Sequence, residues 1–249
     1  MRSVDLNCDL GEGCDNDAEL MKYITSANIA CGYHAGDAET MRRTIRLAIE
    51  NNVAIGAHPG YRDRENFGRT QMRLSSDEIR SLVLDQLSGL KTVCDSEGAC
   101  IRHIKPHGAL YNQAATDPEL SAAIAEAVKT FDGELILYGL SGSYLISEAD
   151  KIGLKTASEV FADRTYQHDG SLTPRTEQNA MIETGGASVE QIRQMLETGT
   201  VTSVCGDVVP IVAETICVHG DGPHAVEFAK NLRRTLDALG FTISPLRNY

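Results

Sequence analysis

The chain has 249 residues, 42% of them hydrophobic and 23% charged, with a mean hydropathy of -0.21, values of a soluble globular protein that exclude disorder. Thirty-five acidic against 23 basic side chains leave a net charge of -12 and a pI near 5.0, which excludes a grip on nucleic acid through phosphate neutralisation. No stretch reaches the ~18 apolar residues of a membrane span, the start lacks a secretory signal, and the seven cysteines are scattered without a C-x-x-C pair. The expectation is a cytoplasmic protein with reduced thiols and neither nucleic acid nor membrane as a partner.

In chain order, short apolar runs alternate with amphipathic ones. A strand is predicted over 4–8 and another over 28–31, followed by a helix over 38–51 with Met41, Ile45, Ala48 and Ile49 on one face. A third strand over 53–57 precedes a helix over 75–97, opened by the capping pair Ser75 and Glu78 and stopped at Gly98. After a strand over 101–105, Asp117 and Pro118 open a helix that closes at Gly133. Strands over 135–139 and 155–160, a helix over 188–198, a strand over 215–219 and a helix over 224–239 complete the pattern. Such alternation predicts an α/β fold with a parallel sheet, read as one domain over 1–249. The two long connections, 58–74 and 161–187, are expected to serve function, because structureless segments of that length are uncommon in compact domains.

Polar residues gather at the ends of these strands: Asn7, Asp9 and Glu12, then His34 and Asp37, His58, Lys105 and His107, Glu159, Asp163 and Arg164, and finally His219 and Asp221. In a parallel barrel or open sheet the carboxyl ends of the strands converge on one pocket. A period of two puts Asp5, Asn7 and Asp9 on the face opposite Val4, Leu6, Cys8 and Leu10, so the carboxylates face the barrel axis if the apolar side packs on helices. Asp9, His34 and His58 form a candidate divalent-metal set, with hydrogen bonding or acid/base use of the same side chains as the alternative. Lys105, on an otherwise buried strand, is expected to hold a phosphate or stabilise an oxyanion, or else to pair with a lumen carboxylate such as Asp9 or Glu159. Gly220, Asp221 and Gly222 precede a helix N-terminus that could present N–H groups to an anion. Arg62, Arg64, Arg69 and Arg73 in one long connection and Arg164 and Arg175 in the other offer further anion contacts, unless they are solvated loop residues. Cys8, Cys31 and Cys217 at strand ends suit packing better than nucleophilic attack.

The segments DLNCDLGEG at 5–13, NIACGYHAGD at 28–37, GAHPGYRDRENFGR at 56–69, IKPHGALYN at 104–112, EVFADRTYQHDGSLTPR at 159–175 and VHGDGPHA at 218–225 resemble the lactam utilisation family, the A-type subunits of prokaryotic ATP-dependent 5-oxoprolinase. The resemblance implies an irregular seven-stranded (β/α) barrel similar to polysaccharide deacetylases and certain glycosidases. It implies conversion of 5-oxo-L-proline, ATP and water to L-glutamate, ADP and phosphate, with partner subunits B and C. On that basis Asp9, Lys105 and His107 are candidate catalytic residues. Asn7, Glu12, His34, Arg62, Arg69, Arg164, Gly220, Asp221 and Gly222 are candidates for substrate or phosphate binding, and His58 with Asp9 and His34 for a metal. ATP and a divalent cation are the implied cofactors. Two alternatives accompany this reading: a metal-dependent carbohydrate deacetylase acting without ATP, and a non-catalytic lactam-binding subunit.

Overall fold

A computed structural model of the chain describes residues 3–182, 184–218 and 225–246. Strand β1 (Ser3–Leu10) is followed by α1 (Asp17–Leu20), β2 (Ser26–Ala30), α2 (Ala38–Asn51), β3 (Ala54–His58), α3 (Ser76–Ser96), β4 (His103–Ile104), α4 (Gly108–Thr116) and α5 (Pro118–Phe131). Then come β5 (Ile136–Leu140), α6 (Tyr144–Lys151), β6 (Lys155–Phe161), α7 (Gly185–Thr198), a hairpin of β7 (Thr200–Thr202) and β8 (Val208–Pro210), β9 (Thr215–Val218), α8 (Ala225–Ala238) and β10 (Thr242–Ile243). Strands β1 to β6 and β9 lie side by side in parallel, and β9 pairs back onto β1, so these seven strands close a barrel. They are the seven that the sequence pattern predicts. Parallel neighbours need crossovers, and the helices supply them.

Local chemistry explains the helix ends. At α3 both halves of the Ser75–Glu78 capping box are present, and at α5 the Asp117 carboxylate accepts from the N–H groups of Glu119 and Leu120 while Pro118 takes the first helical position. Asp37 is not a pocket residue: it is exposed and caps α2, accepting from the Thr40 N–H. The sequence pattern misses α1, α4 and α6, with four, nine and eight residues, because so few turns leave the helical period too short to show. Helix α7 begins before the predicted 188 because Thr184 accepts from the Ala187 N–H.

The two faces of the barrel wall differ. Val4, Leu6, Cys8 and Leu10 of β1 join one apolar core with Ile45, Leu87, Leu90, Val128 and Leu236 of the surrounding helices. Asp5 and Asn7 of the same strand face a polar lumen and are fully buried. Both long connections reach the barrel mouth, with Arg69 and Gln71 from 58–74 and Arg164 and Ser171 to Thr176 from 161–187 on the wall of one cavity. Bridges between Arg164 and Met181 and between Tyr166 and Leu172 order the second connection. Among the described residues no helix is long and apolar enough to cross a membrane.

Candidate active site

The cavity, about 620 Å³, opens at the carboxyl ends of the strands, within the roughly 300–1,000 Å³ range of small-molecule sites. Asp9, Glu12, His58, Lys105, His107, Tyr111, Arg69, Arg164 and Arg175 are on its wall. Glu12, His34, His58 and His107 meet on one side, each offering a ligand atom within 4.8 Å of the others. Glu12 Oε1 lies 3.1 Å from His34 Nε2, 3.2 Å from His107 Nδ1 and 3.6 Å from His58 Nε2. His34 stacks on His107 with ring centroids 3.8 Å apart. Gly68 makes room for this pair: its φ is +66°, and an added Cβ would lie 2.8 Å from His34 Cβ.

Hydrogen bonds fix two of the rings. His58 Nδ1 donates to the Lys105 carbonyl at 2.7 Å and His107 Nε2 to the Phe67 carbonyl at 2.8 Å, since a carbonyl can only accept. Phe67 turns that carbonyl inward by adopting φ 56°, an uncommon conformation for a residue with a side chain. The remaining nitrogens, His58 Nε2 and His107 Nδ1, then face each other 2.9 Å apart, bare when both rings are neutral. Two lone pairs and a carboxylate at that separation call for one positive charge among them, a proton or a metal ion. Burial opposes the charged form of His58, but the Asp9 and Glu12 carboxylates outweigh it and hold its pKa above the ordinary imidazole value. Burial likewise opposes ionisation of Glu12, while hydrogen bonds from His107 and His34 hold its carboxyl well below the usual range. His34 differs: burial pulls its pKa down to about 4, and among the described residues its Nδ1 has no partner, so it lacks the orienting acceptor that His58 and His107 possess there. The metal set suggested by the sequence, Asp9, His34 and His58, is thus regrouped. Glu12 and His107 join the two histidines, and Asp9 sits alongside with Oδ2 3.3 Å from His58 Nε2.

Lys105 is 2% exposed and lies between two carboxylates, with Nζ 3.0 Å from Asp9 Oδ1 and 2.9 Å from Glu159 Oε1. Asn7 Oδ1 at 3.3 Å and Cys217 Sγ at 3.0 Å also surround it. The ion pair that the sequence allows is present, and with both candidate carboxylates at once. Burial works against the ammonium, but the Asp9 and Glu159 carboxylates outweigh it and hold its pKa above the ordinary value. Tyr111 donates to Glu159 Oε2 at 2.7 Å, and Asn7 donates to Glu159 Oε1 at 2.9 Å and to Thr215 Oγ1 at 2.7 Å.

Three arginines also line the cavity, Arg69, Arg164 and Arg175. Arg164, 5% exposed, donates through Nε and Nη2 to the carbonyls of Ala180 and Thr173 and makes no ion pair among the described residues. Burial, with Arg175 nearby, lowers its pKa to about 10, so it remains charged at neutral pH. Arg69 also lines the cavity, its guanidinium 5.0 Å from the Phe67 ring. Arg62 does not: it is exposed, lies 4.2 Å over the Tyr33 ring and borders a separate depression with Asp77 and Asp85, on the far side of the 3-10 turn at Arg64–Asn66 from Arg69 in the chain. His219, Gly220, Asp221 and Gly222 lie outside the described residues. Cys8, Cys31 and Cys217 are buried thiols whose pKa burial pushes up, as packing requires. Sequence reasoning passes over Asn28 and Tyr111; an Asn opening an apolar strand run is the available signal for the first.

Fold and site together define a closed parallel (β/α)-barrel protein with its polar cluster where barrel enzymes carry out their chemistry. The LamB/YcsF family matches residues 4–249, and the chain belongs to that family. It is 52% identical over 244 residues to the A-type subunit of 5-oxoprolinase from Histophilus somni (strain 129Pt), covering 98% of this chain and 99% of that one. To the A-type subunit of the Brevibacillus brevis 5-oxoprolinase it is 50% identical over 249 residues, covering 98% of each. A lactam utilization protein from Thermus thermophilus superposes with a TM-score of 0.92 at 38% identity, over 98% of this chain and 100% of the other. A family 4 carbohydrate esterase from Streptomyces lividans shares the fold at a TM-score of 0.57 and 11% identity, over 99% and 94% of the two chains.

Proposed function

We propose that this chain performs the water-using part of an ATP-dependent opening of 5-oxo-L-proline to L-glutamate, in concert with partner subunits B and C. The names of its relatives support the reaction and the existence of partners. The facing nitrogens of His58 and His107, 2.9 Å apart beside Glu12 and Asp9, support the assignment of the hydrolytic step to this chain.

A five-membered lactam is a stable amide, and transfer of a phosphoryl group from ATP to its carbonyl oxygen makes the carbon electrophilic. Asp9, kept ionised by Lys105, takes a proton from water as the water oxygen bonds to that carbon. The ring C–N bond then breaks while the nitrogen accepts a proton from the His58–His107 pair, leaving an acyl phosphate. A second water releases phosphate and glutamate, so lactam, ATP and two waters give glutamate, ADP and phosphate. The Lys105 charge, on the cavity wall, favours the developing oxyanion. Asn7 orients Lys105 and Glu159, and Arg69 and Arg164 receive the anionic end of the substrate. Gly220, Asp221 and Gly222 remain candidates for phosphate contact. In place of the shared proton, His58, His107 and Glu12, with His34 and Asp9 at the edge, would hold a divalent cation, which would supply Lewis-acid polarisation of the substrate oxygen.

The test is reconstitution of the purified chain with subunits B and C, ATP and 5-oxo-L-proline in ¹⁸O-labelled water. Labelled glutamate is expected only when this chain is present; equal labelling without it sinks the proposal and leaves a lactam-binding role. Release of acetate from an acetylated sugar without ATP, abolished by EDTA, would favour a deacetylase instead.

A further inference from the structure

Asp9, Asn28, Gly56 and His103 occupy matching positions on four adjacent strands: Asp9 pairs with Asn28, Asn28 with Gly56 and Gly56 with His103. They form one row across the lumen, with a gap at the glycine. A Cβ added at Gly56 would lie 2.1 Å from His103 Nε2, far inside contact distance. Through that gap the imidazole crosses β3 and places Nε2 2.8 Å from Asn28 Oδ1. The amide has one orientation available, because its Nδ2 donates to Asn7 Oδ1 and to Asp9 Oδ1, each at 2.8 Å. His103 Nε2 therefore carries the proton. The ring is buried and stacked on Tyr138 at 4.3 Å between centroids, with 15° between planes. Neither Asn28 nor His103 lines the cavity.

We propose that Asn28 is a positioning residue for Asp9, locked in place by His103 through the opening at Gly56. Among its partners, Asp9 Oδ1 takes Asn28 Nδ2 at 2.8 Å and Lys105 Nζ at 3.0 Å as donors, and Oδ2 lies 3.3 Å from His58 Nε2. The torsion that sets a carboxylate plane is soft, so each donor that is removed loosens its direction. Asn28 thus governs how often Asp9 points its second oxygen at the reacting water, and it does so without touching substrate. The inference rests on the hydrolytic role given to Asp9.

The experiment measures kcat, KM and melting temperature in the reconstituted system, with subunits B and C in excess so that this chain limits the rate. Asn28→Ala, Gly56→Ala and His103→Leu are each expected to lower kcat about 10–100-fold, the range for lost orienting partners, with KM within about threefold of wild type. His103→Gln, which retains an N–H donor, is expected to stay within about threefold of wild type in both constants. The inference is overturned if the Gln and Leu variants fall together, or if Asn28→Ala keeps the wild-type kcat. Should Asn28→Ala fail to fold, the His103 pair decides alone. A wild-type chain that adds nothing to glutamate formation overturns the function itself, an outcome separate from both.

Discussion

Asp5 and Asp9 stand on the same inward face of β1, yet they serve opposite ends. Asp5 is fully buried and accepts hydrogen bonds from four hydroxyls, Thr215 at 2.6 Å, Thr25 and Ser26 at 2.7 Å and Tyr138 at 3.1 Å, and makes no ion pair among the described residues. Burial pushes its pKa up despite these donors. Asp9, four residues on, has a lysine, an amide and a histidine around it and borders the cavity. Residue type and strand face do not make a carboxylate chemically useful. A neighbouring cation that keeps it ionised and an open side that admits substrate do.

The sharpest way to break this contrast is substitution at the upper layer. Asp9→Asn is expected to lower ATP-coupled glutamate formation about 10²–10⁴-fold, the usual worth of a general base, while the melting temperature stays close to wild type. Also on the cavity wall, Arg164→Gln is expected to raise KM for 5-oxo-L-proline about 10–100-fold with a smaller change in kcat, because a charged hydrogen-bonding partner of the substrate anion is lost. At the lower layer the pattern should invert. Asp5→Ala leaves buried hydroxyls without their acceptor, so chemical denaturation is expected to show a loss of about 1–3 kcal/mol, with activity per folded molecule retained.

Titration separates the layers further. A carboxylate whose folded pKa is raised contributes stability that is present at low pH and lost as pH rises through that value, and Asp5→Asn should flatten this limb of the melting profile. The imidazoles have the opposite sign. With burial holding His34 at about 4 and His103 at about 3, their contribution is complete above about 6.5 and lost as pH falls toward those values. His103→Gln should therefore shift the acid midpoint of unfolding downward once its intrinsic cost is subtracted. The smallest effect is expected outside the lumen, where Ser75→Ala removes a helix cap at a cost of about 1 kcal/mol and leaves kcat and KM unchanged.

Much of this was legible along the chain. Alternation in β1 separated lumen residues from shell residues, and strand-end chemistry singled out Asp9, Glu12, His34, His58, Lys105 and His107, which the barrel brings to one end. Other readings failed for physical reasons. Asp37 looked like a pocket acid, but a carboxylate just ahead of a helix finds its best partner in that helix's own N–H groups. Arg62 shares a connection with Arg69, yet a short turn separates the two and Arg62 stacks over Tyr33 on the outer surface instead. Asn28 carried only the weak signal of an amide opening an apolar run, and Gly56 none, since both gain meaning only when the neighbouring strands are known.

Periodicity and caps by themselves determined the seven strands, the longer helices and the inward polar face, because burial and end-capping repeat over a few residues and leave a local pattern. Closure and register decided the rest. Lys105 meets Asp9 across 96 positions of sequence, His107 meets His58 across 49, and His103 reaches Asn28 across 75. These pairings depend on which strand lies beside which and at what height, and no local pattern encodes that. The barrel turns a string of strand-end residues into a carboxylate with a fixed direction, two imidazole nitrogens that require a shared charge, and arginines on the wall of the same cavity.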